Sequence, residues 1–361
     1  MRYSLFIPRL YNLLKSLGFE PEKIMPSRAF CSDESQGYPI ILLAKHFGTF
    51  PFNHGLVGGI VATDRHGPHA HHGKEMLIVQ ASHVGYDPAT STYGSYRRLQ
   101  TQGQHETTSC GKICGTINWY INEYKFANQN IFLTLDENNN RLIIIDNKLI
   151  HTDRQEGLIL NLSKMVTLDT DSSVLAISSL STSKVFAIRD EMNPYLENFP
   201  WKAGEKIKIG EFLHPDLFHF KKHTHSVIEG QDHLENNLLN VMPYVVTSEW
   251  PALTAAQANT QVEFDRTFRS ISTEPAYQGK KLFFISGLNV DISPQTEQIF
   301  PLTKFIPWAA YYRDENNKQT IWEQAELFEL LKKQNTENPN QVDLESAINI
   351  MQTEDEIKLP F

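Results

Sequence analysis

Gly73-Lys74-Glu75-Met76-Leu77-Ile78-Val79-Gln80-Ala81-Ser82-His83-Val84-Gly85 is the stretch whose reading decides the fold. Met76 to Val79 is a continuous apolar run without alternation, which fits a strand buried on both faces, as in a parallel sheet. His83 then falls at the strand's C-terminal end, where open α/β sheets place their ligands.

The flanking sequence supplies helices for such a sheet. Leu5, Leu10, Leu13, Leu14 and Leu17 recur at helical spacing over residues 3–17, and Gly18 suits the helix end. A short run ends at Phe30-Cys31, a second apolar stretch covers Ile40 to Leu43, and residues 48–62 are rich in Gly. Ile117, Tyr120, Ile121 and Tyr124 share one face of a predicted helix from Ile113 to Tyr124. Ile131 to Leu135 and Leu142 to Ile145, joined by a polar turn, predict a hairpin. Apolar, Ser/Thr-rich runs follow from Leu158 to Leu180, then a helix around Trp322 to Lys332 and a polar tail from Gln334. The fold class expected is α/β, a sheet with flanking helices.

A chain of 361 residues exceeds what one hydrophobic core usually organises, so two domains are expected, 1–165 and 166–361. With 40% hydrophobic and 21% charged residues and no apolar run of about 18 or more, the chain reads as globular, not membrane-spanning. A net charge of −9 argues against a nucleic-acid surface, which needs clustered Lys and Arg. Arg9, Lys15, Glu20 and Glu22 interrupt any secretory apolar core, so the expected location is the cytoplasm.

An internal match bears on domain organisation. Residues 73–88 align without gaps on 279–294, with His83 opposite Asn289, and Cys31-Ser32-Asp33-Glu34 can be laid on Ile188-Arg189-Asp190-Glu191. Chance similarity of two strand-and-loop segments is one explanation. The other is a degenerate second copy without metal ligands, forming a second sheet within 166–312 related to the first by an approximate two-fold axis.

Three cysteines are too few for a disulfide framework in a chain this long, and 14 histidines accompany them. Cys and His are preferred zinc ligands, and a catalytic site keeps three protein ligands with one open position. Cys31 follows a strand-like run, His83 ends another, and Cys110 opens a helix, where the dipole favours a thiolate. Ligands at three separate element ends suggest an active site, although a free Cys is more often a buried small hydrophobe.

The order of these features narrows the reading. Cys31-Ser32-Asp33-Glu34, the Gly-rich Phe47 to Gly59, His66-Gly67-Pro68, Met76 to Gly85, Tyr96-Arg97 and Ser109-Cys110-Gly111 together resemble the limiting-CO2-inducible B/C (theta-class) family over about residues 25–125. The resemblance implies a beta-carbonic-anhydrase-like sheet, Zn2+ bound by Cys31, His83 and Cys110, and Asp33 as the carboxylate beside the metal. It implies reversible hydration of CO2 to bicarbonate, zinc acidifying its water to a pKa near 7 and Asp33 accepting the proton. Arg97 is the candidate to hold Asp33, with Arg28 and Arg98 as rivals. The pair of sites in such enzymes implies a homodimer or an internal pseudo-dimer.

Two positions depart from the family pattern: Ser32 stands where Arg often follows the first Cys, and Ala81-Ser82 replace the usual Pro before His83. Cys114 matches nothing in it and is expected in the core. His66, His69, His71 and His72 could shuttle protons, and His214, His219, His223, His225 and His233 could form a second metal site. Two other functions stay open: a non-catalytic zinc protein that senses or scaffolds in inorganic-carbon handling, and hydrolysis of another linear molecule such as carbonyl sulfide.

Overall fold

The computed structural model describes residues 1–61, 75–97, 106–146, 149–151, 156–167, 184–222, 233–295, 297–298 and 301–353. The His66–His72 loop, Arg98, His223, His225 and the Ser/Thr-rich run beyond Thr167 lie outside them. The chain divides into two compact units, one of Met1–Lys112 with Asn259–Phe361 and one of Ile113–Ala258.

The first unit is a seven-stranded mixed sheet flanked by helices. In chain order it contains α1 (Tyr3–Ser16), β1 (Ile24–Ala29), α2 (Gly37–Phe47), β2 (Phe52–Asn53), β3 (Glu75–Asp87) and β4 (Thr92–Tyr93). Helix α3 (Gly111–Asn130) leads out of it, and α4 (Pro251–Thr273) returns. It is completed by β5 (Lys281–Ile292), β6 (Lys304–Arg313), β7 (Gln319–Glu323) and α5 (Gln324–Lys332). The strand order is β7-β6-β5-β3-β1-β2, with β4 paired to the end of β3. Strands β2, β1, β3 and β5 are parallel, while β6 is antiparallel to β5 and β7 antiparallel to β6.

Burial explains the unalternating apolar run of β3. On one face Leu77, Val79 and Ala81, with Phe283 and Ile285 of β5, pack against α1, α2 and α5. On the other, Met76, Ile78, Leu282 and Phe284 pack against Phe264 and Ile271 of α4. Each of these side chains larger than Ala81 contributes about 1.5–3 kcal/mol relative to exposure. Helix α1 buries Tyr3, Phe6, Ile7, Leu10, Leu13 and Leu14, leaving Leu5 exposed. It ends as Gly18 (φ 81°) turns the chain, with Phe19 N–H donating to Leu14 O at 3.0 Å and Gly18 N–H to Lys15 O at 3.1 Å.

The internal match acquires a different meaning. Residues 281–292 pair with 75–86 in parallel, Asn289 opposite His83, so the two segments are neighbours in one sheet. A two-fold axis along the strands would put matched residues on opposite faces, yet Leu77 and Phe283 share a face. The second sheet and two-fold expected within 166–312 are therefore not formed by this strand. Ile188–Glu191 lies in the other unit, so the two matched pieces do not belong to one folded copy. The expected boundary at 165/166 falls inside Ile113–Ala258, because β5 had to return to the centre of the first sheet.

The second unit carries most of α3 and the predicted hairpin, Ile131–Leu135 with Arg141–Ile145, in which Leu135 faces Arg141. Lys184–Ala187 and Ile207–Lys208 extend it to four strands, and a separate three-stranded sheet includes Glu156–Leu160. Towards the C-terminus, Trp322 belongs to β7 and the helix begins only at Gln324, while Leu344–Thr353 of the polar tail is helical. No helix among the described residues is long and apolar enough to cross a membrane.

Candidate metal centre

Parallel register brings the first two candidate ligands together. Ala29 of β1 pairs with Gln80 of β3, so two residues further along each chain Cys31 arrives level with Ser82, beside His83. His83 is not at the strand end as expected, because β3 stays paired with β5 as far as Tyr86 and with β4 as far as Asp87. Cys110 is delivered by the segment before α3: Gly85 N–H donates to Ser109 O at 2.8 Å, anchoring that segment two residues beyond His83. The Gly-rich segment packs directly on β3 beside the group, since Gly59 (φ 77°) lies so close that a Cβ there would run into the Ala81 carbonyl.

Cys31, His83 and Cys110 are all buried, with ligand atoms within 4.8 Å of one another. The two sulfurs are 3.8 Å apart. Two Zn–S bonds of about 2.3 Å at the tetrahedral angle would put sulfurs about 3.8 Å apart. His83 Nε2 has no hydrogen-bond partner among the described residues, although His83 is fully buried. An orphaned imidazole nitrogen beside two thiols at tetrahedral spacing fits a thiophilic divalent ion such as Zn2+.

The other imidazole nitrogen is engaged. His83 Nδ1 lies 2.8 Å from Asp291 Oδ2 of β5 and 3.3 Å from Ser109 Oγ. Asp291, also fully buried, accepts from Ser35 Oγ at 2.9 Å, Gln36 Nε2 at 2.8 Å and Thr303 Oγ1 at 3.0 Å. Asn289 Nδ2 donates to Gln36 Oε1 at 2.7 Å and Tyr3 OH to Asn289 Oδ1 at 2.7 Å, continuing the network to α1.

The electrostatics favour one thiolate. The Cys31 thiol is pushed well down, foremost by the hydrogen bond it shares with Cys110 and further by His83 and the Gly58 amide, whose N–H donates to Cys31 Sγ at 3.2 Å. Cys110, which shares that contact and is itself buried, is pushed up correspondingly. Burial alone would lower the pKa of His83, but Asp291 and the two thiols outweigh it and hold it well above the ordinary imidazole value. Burial raises Asp291, against the pull of its donors.

The remaining expected residues are less concentrated. Asp33 is half-buried two residues after Cys31, and its carboxylate accepts from Ser35 N–H at 3.2 Å, capping a turn at Glu34–Gln36. Arg97 pairs with Asp87 at 3.5 Å, and Arg28 is half-buried on β1. Cys114 is half-buried and outside the ligand group. Of the second histidine set, His214 pairs with Asp216 at 3.5 Å and His219 is exposed. Asp291, Ser35, Gln36 and Thr303 escaped the sequence reading, and Ser109 entered it only as part of a motif. The available signal was Asp291 itself, a carboxylate inside the apolar strand Leu282 to Ile292 and close to the residue aligned with His83.

These features define an α/β protein with a buried Cys-His-Cys group able to hold a metal ion. Residues 2–181, about half of the chain, match the model of the family described as limiting CO2-inducible proteins B/C, beta carbonic anhydrases, and the chain belongs to that family. The fold resembles the crystal structure of PtLCIB4, a homolog of the limiting CO2-inducible protein LCIB, with TM-score 0.50 and 10% identity, covering 90% of this chain and 94% of that one. The crystal structure of LCIB itself aligns with TM-score 0.45 and 12% identity over 90% of this chain and 94% of that chain. No curated protein sequence matches the chain.

Proposed function

We propose that this protein is a zinc carbonic anhydrase that interconverts CO2 and bicarbonate, with Cys31, His83 and Cys110 holding the metal. The observation that carries the reading is the buried trio itself, two sulfurs 3.8 Å apart and an unpartnered His83 Nε2, in a chain of this family. Bound zinc supplies Lewis acidity, which makes a nucleophile from water at neutral pH.

The chain's own residues do the rest. Two thiolates make the ligand set anionic and weaken that acidification relative to three imidazoles, so a nearby base is needed. Asp33, on the turn just beyond Cys31, is the group to accept the proton released when water adds to CO2 and to pass it to solvent. Burial of Cys31, His83 and Cys110 keeps competing water from the ligands and strengthens the electrostatics.

A second reading, a zinc protein that regulates or scaffolds without catalysis, draws support from Arg97, whose ion pair is with Asp87 and not with Asp33. CO2 hydration by the zinc-loaded protein separates the two. Activity that tracks zinc occupancy and disappears in Cys31→Ala, His83→Ala and Cys110→Ala supports the enzyme, while one bound zinc per chain with no hydration supports the regulator. Loss of zinc in Cys114→Ala with retention in Cys110→Ala would overturn the ligand assignment.

A further inference from the structure

His83 alone cannot choose which nitrogen it offers to a metal, because an imidazole ring can turn over and exchange Nδ1 for Nε2. What fixes the choice is the partner of the other nitrogen. Here that partner is a carboxylate on the neighbouring strand, and its placement follows from register. His83 pairs with Asn289, so Asp291, two residues further along β5, projects from the same sheet face as His83. Its Oδ2 lies 2.8 Å from His83 Nδ1.

The same oxygen reaches a second ligand-bearing segment. Ser35 and Gln36 follow Cys31 and Asp33 on one short turn, and both donate to Asp291 Oδ2. Thr303, at the entrance to β6, donates to Oδ1. A carboxylate only accepts hydrogen bonds, and with four donors around it Asp291 is well supplied inside a core that would otherwise penalise the charge. Four donors on three segments also leave it little freedom to rotate.

We propose that Asp291 is the positioning residue of the metal centre: it locks His83 with Nε2 toward Cys31 and Cys110, and it ties the Cys31–Gln36 turn to the same anchor. Asn289 and Tyr3 brace it from behind, since Tyr3 holds Asn289, Asn289 holds Gln36, and Gln36 holds Asp291. This assignment rests on the zinc reading given above, but the orientation of His83 can be observed with or without metal.

The test compares wild type with Asp291→Asn and Asp291→Ala. Zinc affinity is measured by chelator competition, the cobalt-substituted proteins are followed by absorption spectroscopy, and crystal structures record the His83 ring. Asp291→Asn keeps an oxygen acceptor for His83 Nδ1 while removing the charge and replacing the oxygen that faces Thr303 by an amide NH2, so it should weaken zinc binding modestly and leave the ring in place. Asp291→Ala should lose about 10–100-fold in affinity, the range for losing such an outer partner. Its cobalt spectrum should change, and His83 should turn away from the sulfurs.

Wild-type zinc affinity and an unmoved His83 ring in Asp291→Ala would overturn the positioning role. A general loss of folding would lower the affinity of both variants alike, whereas the proposal requires the Asn variant to recover most of it. Should wild type bind no zinc, the metal reading fails by itself. The crystal structures then still decide Asp291: a turned ring in Asp291→Ala supports it, and an unchanged ring refutes it.

Discussion

Gly85→Ala tests how closely Cys110, the third proposed ligand, is tied to β3. Gly85 donates to Ser109 O at 2.8 Å, and Ser109 precedes Cys110. A Cβ on Gly85 would lie 2.6 Å from Ser95 O and 3.0 Å from the Cβ atoms of Ser109 and Tyr96, where ordinary contact begins near 3.4 Å. Ser95 O would have to withdraw by about 0.8 Å and the Ser109 segment by about 0.4 Å, an overpacking that costs about 1–3 kcal/mol. For a body of 150–250 residues each kcal/mol lowers Tm by about 2–4 °C. Metal–ligand distances hold only within about 0.2 Å, so moving Ser109 by twice that should pull Cys110 off its position. Zinc affinity should then fall by about 10–100-fold, as when a group that orients a ligand is disturbed. Chelator competition and a thermal melt of the metal-free protein read the two effects separately. Gly115→Ala is the control, because its Cβ meets nothing within 4 Å on α3, and it should be neutral or stabilising. If Gly85→Ala binds zinc and melts as wild type does, the approach of Ser109 to β3 is not what positions Cys110.

Asp33→Asn should keep zinc and fold, since an amide oxygen can still accept from Ser35 N–H, while CO2 hydration slows by about 100-fold or more, as expected when a general base is lost. Full activity in that variant would remove Asp33 from the chemistry. Acid should destabilise the protein through His46. Burial pushes its pKa down to about 4, with Lys45 assisting, and Asn338 Nδ2 lies 3.2 Å from its Nδ1. The folded state thus prefers the neutral ring, and the contribution is complete above the unfolded pKa of about 6.5 and is lost as pH falls from there toward 4. Denaturant melts between pH 7 and pH 5 should show a shallower decline in His46→Gln than in wild type. Equal slopes would mean that other groups govern acid sensitivity.

Much of the centre is legible in the amino-acid sequence. Cys31, His83 and Cys110 stand in a recognisable order of local motifs, and thiol and imidazole chemistry narrows what such a trio can do. The strand through Met76–Val79 is equally plain, because a parallel strand buried on both faces has no polar positions to break its run. Helix α1 is visible from its period, although the face it buries is Tyr3, Phe6, Ile7 and Leu10, with Leu5 turned to solvent.

Other features depend on which distant segments share a sheet. Residues 73–88 and 279–294 look alike in sequence, and that similarity is compatible with two separate copies or with two adjacent strands. Only the pairing of His83 with Asn289 distinguishes these, and it makes the first unit from both ends of the chain. Asp291 reaches His83 across 208 residues of sequence for the same reason. Local preferences and periodicity act over a turn or a strand, and so the sequence alone determined the elements and the candidate ligand types. Strand order and register are global properties of the packed sheet, and they alone decided which carboxylate stands behind the histidine.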